Sequence, residues 1–575
     1  MRGFLTATCL CLMRAISISH ALDNGLAATP AMGYSTWNDC SSFRDNGKDG
    51  WCWESEKHVR AVTEYMISSG LARLGYVYIN VDEGWLKGRS AEGVIIEDLD
   101  KFPSGMAALG SWVNGQETFP GSNATMRYGL YSSRGTCQCG TGTYSAPGSH
   151  GYEAEDAAWM VSANAKYIKI DSCCGSQDHA VAFSDYAKYR DALNATGKRV
   201  WLSLCGWEAW YSPPDPTIHY AGGQSLGNSW RIAGDGSNWQ HLTECMNTQA
   251  AAAPFAGPGG WPDPDLLIGP EVYVGGQTDK QARAQFSMWC LFPANLIISQ
   301  NVLNWSSYAL ETYSNTELIA LNQDPLGSPA RRIVGGDISY PCSSTSGDQL
   351  ASVIAVACNA SDPAQHWSAS SADGLTYVIS SKAFPGGVLD NLDCGSSDGT
   401  SVALLRMSAG KCAGLNQRWF WSTNGSVVNA NSRKCLDVYS WVGPDVDTWS
   451  CTGGGNQNFT LLASGQISSH AGAGGQPPLC LSASVNPCTN VWGRKLSKGD
   501  FALGYVNNGG LPANVTCDDA CFKTLLDGDT RSSGLVVRDL WSHRTVAVLH
   551  GNGNLSFSAL VDGDGSASIF RLSFA

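Results

Sequence analysis

An α/β chain with an all-β C-terminal part is what the sequence predicts, and three observations carry it. From Ala31 to about Ser299 short apolar runs alternate with longer helical stretches, the pattern of strands joined by crossover helices in a parallel sheet. About eight such units fall within roughly 250 residues, the size of a (β/α)8 barrel. After "LNQDPLGSPARRI" the texture changes to Gly, Ser, Asn and Cys with short β-like runs.

In order, the strand runs are "MGYSTWN", "YVYINVDE", "YGLYSS", "YIKID", "RVWLSLCG", "SWRIAGD" and "NLIISQN", with an eighth in "GGWPDPDLL". They end repeatedly in Asp, Glu, Trp or Cys. In a barrel of this kind the strand C-terminal ends build the active site, so those residues are the functional candidates. Beyond the barrel, "VWGRKLSKGDFALGYVNNG" and "VRDLWSHRTVAVL" alternate in strand fashion and read as a β-sandwich whose first strand is "PARRIV", ahead of an insertion.

The 575 residues are 43% hydrophobic and 15% charged, with a formal net charge of -13, an ordinary globular composition. With no Lys/Arg cluster, nucleic acid and membrane are excluded as partners and neutral ones are favoured. "MRGFLTATCLCLMRAISISHA" has a basic start, an apolar middle and a small-x-small end, which predicts a secretory signal over 1–21. Of the 21 cysteines, Cys9 and Cys11 lie in that leader, leaving an odd number behind it. Cysteine usage and the sequons at Asn123, Asn194, Asn304, Asn359, Asn424, Asn458, Asn514 and Asn554 point to export, either from the cell or to a lysosome or vacuole. No Cys-x-x-Cys pair has a matching His or Cys set, so no metal is expected.

Within the insertion lie "QHW" at Gln365, "QRW" at Gln417 and "QNF" at Gln457, and two Leu-Asp steps at Asp390 and Asp437. A repeat of this period means an array of similar units. These features resemble the ricin-B-type β-trefoil lectins. That resemblance implies a trefoil over 343–489 that binds polysaccharide, with Asp390, Asp437, Gln417 and Gln457 as sugar-binding candidates and Phe459 replacing Trp in the last copy. Cys435 and Cys451 are candidates for a disulfide there.

Two carboxylates end different barrel runs: Asp171 in "KYIKID" and Asp235 in "SWRIAGD". Retaining hydrolysis of a glycosidic bond needs two carboxyl groups about 5 Å apart on opposite faces of the sugar. Two strand ends can supply them. Singly, Asp171 also reads as a helix N-cap and Asp235 as a turn residue in "GDGSN". Lys169 shares a strand face with Asp171 and is expected to keep it ionised, while Arg231 is the candidate substrate donor.

"LDNGLAATPAMGYSTWNDC", "YVYINVDEGW", "KYIKIDSC", "SLCGW", "SWRIAGD", "GGWPDPDLL", "QFSMWCLFPANLIIS" and "LNQDPLG" resemble, in order, the motifs of glycoside hydrolase family 27, the α-galactosidases. The resemblance implies a barrel over 22–328 and a C-terminal β-sandwich built from 329–342 and 490–575. It implies Asp171 as nucleophile, Asp235 as acid/base, and Trp37, Asp82, Tyr131, Lys169 and Arg231 as galactose contacts, with Asp265 structural and no cofactor. It also implies a disulfide at Cys173, with Cys137 as the best partner and Cys139 and Cys174 forming a second bridge. "CDDAC" suggests a Cys517–Cys521 loop. The acid/base is expected to have a raised pKa, supplied by the charge of Asp171.

The chain departs from the family where Glu83 follows Asp82 in place of a second Asp. Its extra methylene pushes the carboxylate towards the C6 group of galactose, which β-L-arabinopyranose lacks. Gly206 and Pro262 are further departures, with Trp207 or Glu208 able to compensate for Gly206. Trp37 is the choice for a pocket wall, and Trp85, Trp207, Trp230 and Trp261 are open between pocket and core. The expected function is exo-hydrolysis of terminal α-D-galactosyl residues. β-L-arabinopyranosidase activity is the alternative, and a catalytically inactive lectin is the alternative from another class.

Overall fold

The computed structural model describes residues 24–40, 55–139, 146–206, 220–270, 276–336, 338, 349–407, 411–439, 445–470, 478–484, 488–509, 511–527, 534–550 and 554–574. The leader at 1–21 and Trp207 and Glu208 lie outside the described residues.

Eight strands form one parallel sheet: β1 (Met32–Ser35), β2 (Tyr78–Asn80), β3 (Arg127–Ser133), β4 (Tyr167–Asp171), β5 (Trp201–Leu204), β6 (Ser229–Arg231), β7 (Trp261–Asp263) and β8 (Leu296–Ile298). β8 pairs with β1, and a parallel bridge between Leu267 and Ile298 joins the two ends of the sheet. This is the (β/α)8 barrel that the alternation predicted, and "GGWPDPDLL" supplies its seventh strand. Helices α1 (Glu56–Ser68), α2 (Met106–Gly115), α3 (Glu153–Ser162), α4 (His179–Ala195), α5 (Trp239–Ala252), α6 (Asp279–Leu291), α7 (Ser307–Tyr313) and α8 (Thr316–Asn322) surround it. The N-cap of α4 is Asp178, whose side chain accepts from Val181 N, and that of α5 is Asn238. Neither Asp171 nor Asp235 caps the helix that follows it.

Alternate strand residues share a face, so the barrel interior is built in columns. At the bottom lie Tyr78, Tyr167, Trp201 and Trp261, in one buried apolar cluster. The Tyr167 and Trp201 rings stack at 6.1 Å, and Tyr78 lies 5.4 Å from Tyr167. Above Tyr167 the same column carries Lys169 and then Asp171. Above Ser229, which accepts from Trp201 Nε1 at 3.1 Å, it carries Arg231. Gly129 makes room for this packing, because a Cβ there would collide with Asn80 and press on Tyr167.

After the barrel, strands Arg331–Val334, Thr489–Lys495, Phe501–Asn507, Ser566–Phe574, Leu535–Asp539 and Arg544–Leu549 pair in that order as an antiparallel sheet. Phe501, Leu503, Tyr505 and Phe570 on this sheet share a core with Val515 and Phe557 of the antiparallel strand pair Ala513–Cys517 and Phe557–Val561. This is the expected β-sandwich. On the opposite face, Trp492, Ala502, Val506 and Ile569 join the barrel core.

Between Val334 and Thr489 runs a separate twelve-stranded sheet, in three successive groups of four that begin at Gln349, Thr400 and Val446. Its core holds Trp367, Trp419 and Phe459 at corresponding places. Trp367 donates to Leu481 O at 2.8 Å and Trp419 to Leu389 O at 3.0 Å.

Candidate active site

At the C-terminal mouth of the barrel, Lys169 Nζ lies 3.0 Å from Asp82 Oδ2 and 3.9 Å from Asp171 Oδ2. The ammonium also sits 5.1 Å from the ring centre of Tyr131 and 5.7 Å from that of Trp37. Asp82 N donates to Thr36 Oγ1 at 2.9 Å, and Glu83 N donates to Asp82 Oδ1 at 3.0 Å. Glu83 is 1% exposed, so its carboxylate is held inside the mouth.

Asp171 accepts from Tyr131 Oη at 3.0 Å and from Ser172 N at 2.7 Å. Tyr131 therefore orients the carboxylate of Asp171. Burial first, then the charges of Asp171, Glu83 and Asp82, push the Tyr131 hydroxyl well above its ordinary range, which keeps it a neutral donor. The Sγ atoms of Cys139 and Cys173 lie within 4.8 Å of an Asp171 oxygen. Burial raises the Asp171 carboxyl, Lys169 opposes that, and the charges of Asp235 and Asp82 add to it, leaving the group above its ordinary value.

Arg231 joins the second carboxylate to a third. Its NH2 lies 2.9 Å from Asp235 Oδ1 and its NH1 2.8 Å from Asp265 Oδ1. Asp265 also accepts from Gly236 N and Leu266 N, each at 2.6 Å. These bonds hold Asp265 at φ 103°, a conformation that side chains disfavour and that persists where the surroundings enforce it. Asp265 thus fixes both Arg231 and the loop that carries Asp235. Burial, opposed by Arg231 and helped by Asp235, pushes the Asp265 carboxyl up to about 7.

Asp235 does not have the expected raised pKa. Desolvation by the surrounding walls pushes it up, but Arg231 and Lys169 outweigh that and leave it below its ordinary value. The expectation weighed Asp171 alone and omitted the hydrogen-bonded guanidinium. The side chain of Asp235 is 56% exposed, so it is open to the mouth of the barrel.

The disulfide register also differs from the expectation: Cys137 pairs with Cys174 and Cys139 with Cys173. Two near-adjacent cysteines on each side permit either pairing, and backbone geometry selects this one. Cys435–Cys451 and Cys517–Cys521 are both present. Trp230 and Trp261 are fully buried. Trp85 is buried too, stacking on Trp159 at 5.3 Å and donating to Tyr131 O at 3.2 Å. These three are core residues, while Trp37 is partly exposed beside Lys169.

In the inserted sheet, Asp390 Oδ2 accepts from Asn416 at 2.9 Å and Gln417 at 2.8 Å. Asp437 accepts from Asn456 at 3.0 Å and Gln457 at 2.7 Å. The two glutamines therefore hold the aspartates in place.

Sequence reasoning missed Cys205 and Asp263. Arg231 NH1 lies 3.7 Å from the buried thiol of Cys205. Asp263 accepts from Asp265 N at 3.0 Å and from Asn295 Nδ2 at 3.2 Å. The signal for Asp263 was there: it stands two residues after Trp261, in the same inward column.

Comparison with known proteins agrees with this geometry. The family model described as Alpha galactosidase A matches residues 29–324, and that of the Alpha galactosidase C-terminal beta sandwich domain matches 487–570. Alpha-galactosidase 3 of Arabidopsis thaliana is 36% identical over 314 residues, spanning 54% of this chain and 64% of that protein. The alpha-galactosidase of Cyamopsis tetragonoloba is 35% identical, spanning 55% of this chain and 69% of its own. The fold is similar to that of alpha-galactosidase I from Mortierella vinacea, with a TM-score of 0.58 and 20% identity over 96% of this chain and 99% of the other. It is also similar to that of a GH27 β-L-arabinopyranosidase from Geobacillus stearothermophilus, with a TM-score of 0.54 and 14% identity over 96% and 97%. With the barrel mouth and both family models in place, the chain belongs to the alpha-galactosidase family of glycoside hydrolases.

Proposed function

We propose that the protein hydrolyses terminal α-D-galactosyl residues of oligo- or polysaccharides with retention, by double displacement. The observation that carries this reading is that Asp171 and Asp235, from separate strand ends, meet at one barrel mouth, each beside its own cation. Asp171 attacks C1 as the glycosidic C1–O bond breaks, and Asp235 gives its proton to the leaving oxygen. Asp235 then takes a proton from water, whose oxygen attacks C1 and breaks the bond to Asp171. Asp235 becomes a proton donor when sugar hydroxyls take over the hydrogen bonds of Arg231, which removes the contact that holds its pKa down. Lys169, Asp82 and Trp37 hold the sugar, and Tyr131 orients the nucleophile.

A second reading rests on Glu83. Its buried carboxylate beside Asp82 favours a sugar without the C6 group, β-L-arabinopyranose. The two readings are separated by hydrolysis of aryl α-D-galactoside and aryl β-L-arabinopyranoside. Glu83→Asp is expected to shift the kcat/KM ratio towards galactoside by the equivalent of about 1–3 kcal/mol. An unchanged ratio removes Glu83 from specificity.

The inserted sheet is read as a β-trefoil over 343–489 that tethers the enzyme to polysaccharide. Its three groups of four strands and the two Asp–Gln pairs support this. The paired cysteines support a secretory route. The inactive-lectin alternative is opposed by the retention of both carboxylates.

A further inference from the structure

A cavity of about 490 Å³ lies between the acid/base loop of the barrel and the inserted β-sheet. This is within the usual range of small-ligand sites. Asp235, Asn238 and Glu244 line it from the barrel, and Tyr439, Asp447 and Trp449 from the inserted sheet. Asp447 is only 7% exposed, and its Oδ1 has no hydrogen-bond partner among the described residues. A buried polar atom left this way costs stability unless something it faces completes it. Trp449 is 38% exposed, which leaves indole surface for a ligand.

We propose that this cavity is the leaving-group subsite, a composite saccharide site in which the inserted sheet grips the sugar from which the terminal residue is cleaved. The proposal rests on Asp235 as acid/base. The proton donor lies against the leaving oxygen, so the departing saccharide extends away from Asp171 past Asp235, where the cavity begins.

The lining selects for a neutral, hydroxyl-rich ligand. Asp235 from the barrel and Asp398 and Asp445 from the inserted unit repel anions. Among the described residues, the one group of His, Cys, Asp and Glu whose atoms converge within metal-binding distance is Cys139, Asp171 and Cys173; none of these lines the cavity, and the two cysteines are bonded to each other. Burial, with the charge of Asp445, pushes the Glu244 carboxyl up to about 8, and burial with several neighbouring carboxylates does the same for Asp447. Protonated near neutral pH, both can donate as well as accept, which suits sugar hydroxyls. The indole face of Trp449 suits their C–H faces.

The inserted unit is thus part of the active site as well as a tether. The two roles separate on a soluble α-galactosyl-mannotriose, too short to reach a second binding site. Kinetics on it and on an aryl α-galactoside are compared for wild type, Trp449→Ala and Asp447→Asn. For Trp449→Ala the ratio of kcat/KM on the oligosaccharide to that on the aryl glycoside is expected to fall roughly tenfold, mainly through KM. Asp447→Asn, which keeps both donor and acceptor, retains most of the ratio. An unchanged ratio in Trp449→Ala overturns the proposal, as does a fall in kcat alone. The acid/base reading is tested separately: azide should restore activity on an activated aryl glycoside in Asp235→Ala, and failure of that rescue removes the leaving-group assignment at its base.

Discussion

Lys169 shows how one side chain sets two others. Its ammonium is shared by Asp82 and Asp171 and stacks between Trp37 and Tyr131. In the proposed mechanism Asp171 attacks only when ionised, so activity is expected to be lost as pH falls through its pKa. Burial already holds that pKa above its ordinary value against the opposing charge of Lys169, so removing the cation raises it further. In Lys169→Met the acidic limb of the kcat/KM profile is expected to move up by roughly 1–3 pH units. A limb that stays in place means that Lys169 does not control Asp171. The residues of this ladder were legible because period-two alternation places Lys169 below Asp171 on any strand. The lowered pKa of Asp235 was not, since it depends on a guanidinium that Asp265 delivers from a different strand end.

At the scale of elements, the barrel strands were legible as short apolar runs with polar ends, and the strand pairing followed from their alternation with helices. What the runs did not disclose was the layer beneath the site. Trp261, which the sequence left open between pocket and core, forms the floor with Tyr78, Tyr167 and Trp201, and Gly129 leaves the space that the neighbouring side chains occupy. Gly129→Ala is expected to destabilise the fold by about 1–3 kcal/mol, read as a lower denaturation midpoint in urea at unchanged slope. The disulfide register was not legible for a related reason. Cys137 and Cys139 face Cys173 and Cys174, and only the backbone path decides which bond forms.

On the scale of the molecule, strand Arg331–Val334 pairs across more than a hundred and fifty residues with Thr489–Lys495, so the inserted sheet is anchored at both ends in the sandwich. The change of texture and the spaced Gln-x-aromatic motifs made this organisation readable. How the insertion faces the loop that carries Asp235 was not, because that cavity is lined by residues far apart in the chain. If the insertion also binds polymer through Asp390 and Asp437, the double variant Asp390→Ala/Asp437→Ala should lose at least about tenfold in apparent affinity for insoluble galactosylated polysaccharide. Unaltered retention in a pull-down rules these two aspartates out as the tether.

Central to the proposed function is a division of labour at the barrel mouth, in which Asp82 and Glu83 hold the sugar while Asp171 and Asp235 act on the bond. The most direct measurement uses a slowly turned-over fluorinated α-galactosyl donor, followed by peptide mass mapping of the inactivated enzyme. A glycosyl ester on the "YIKID" peptide at Asp171, absent from Asp171→Ala, is the expected result. An ester on Asp82, Glu83 or Asp235, or full inactivation with no ester formed, contradicts it.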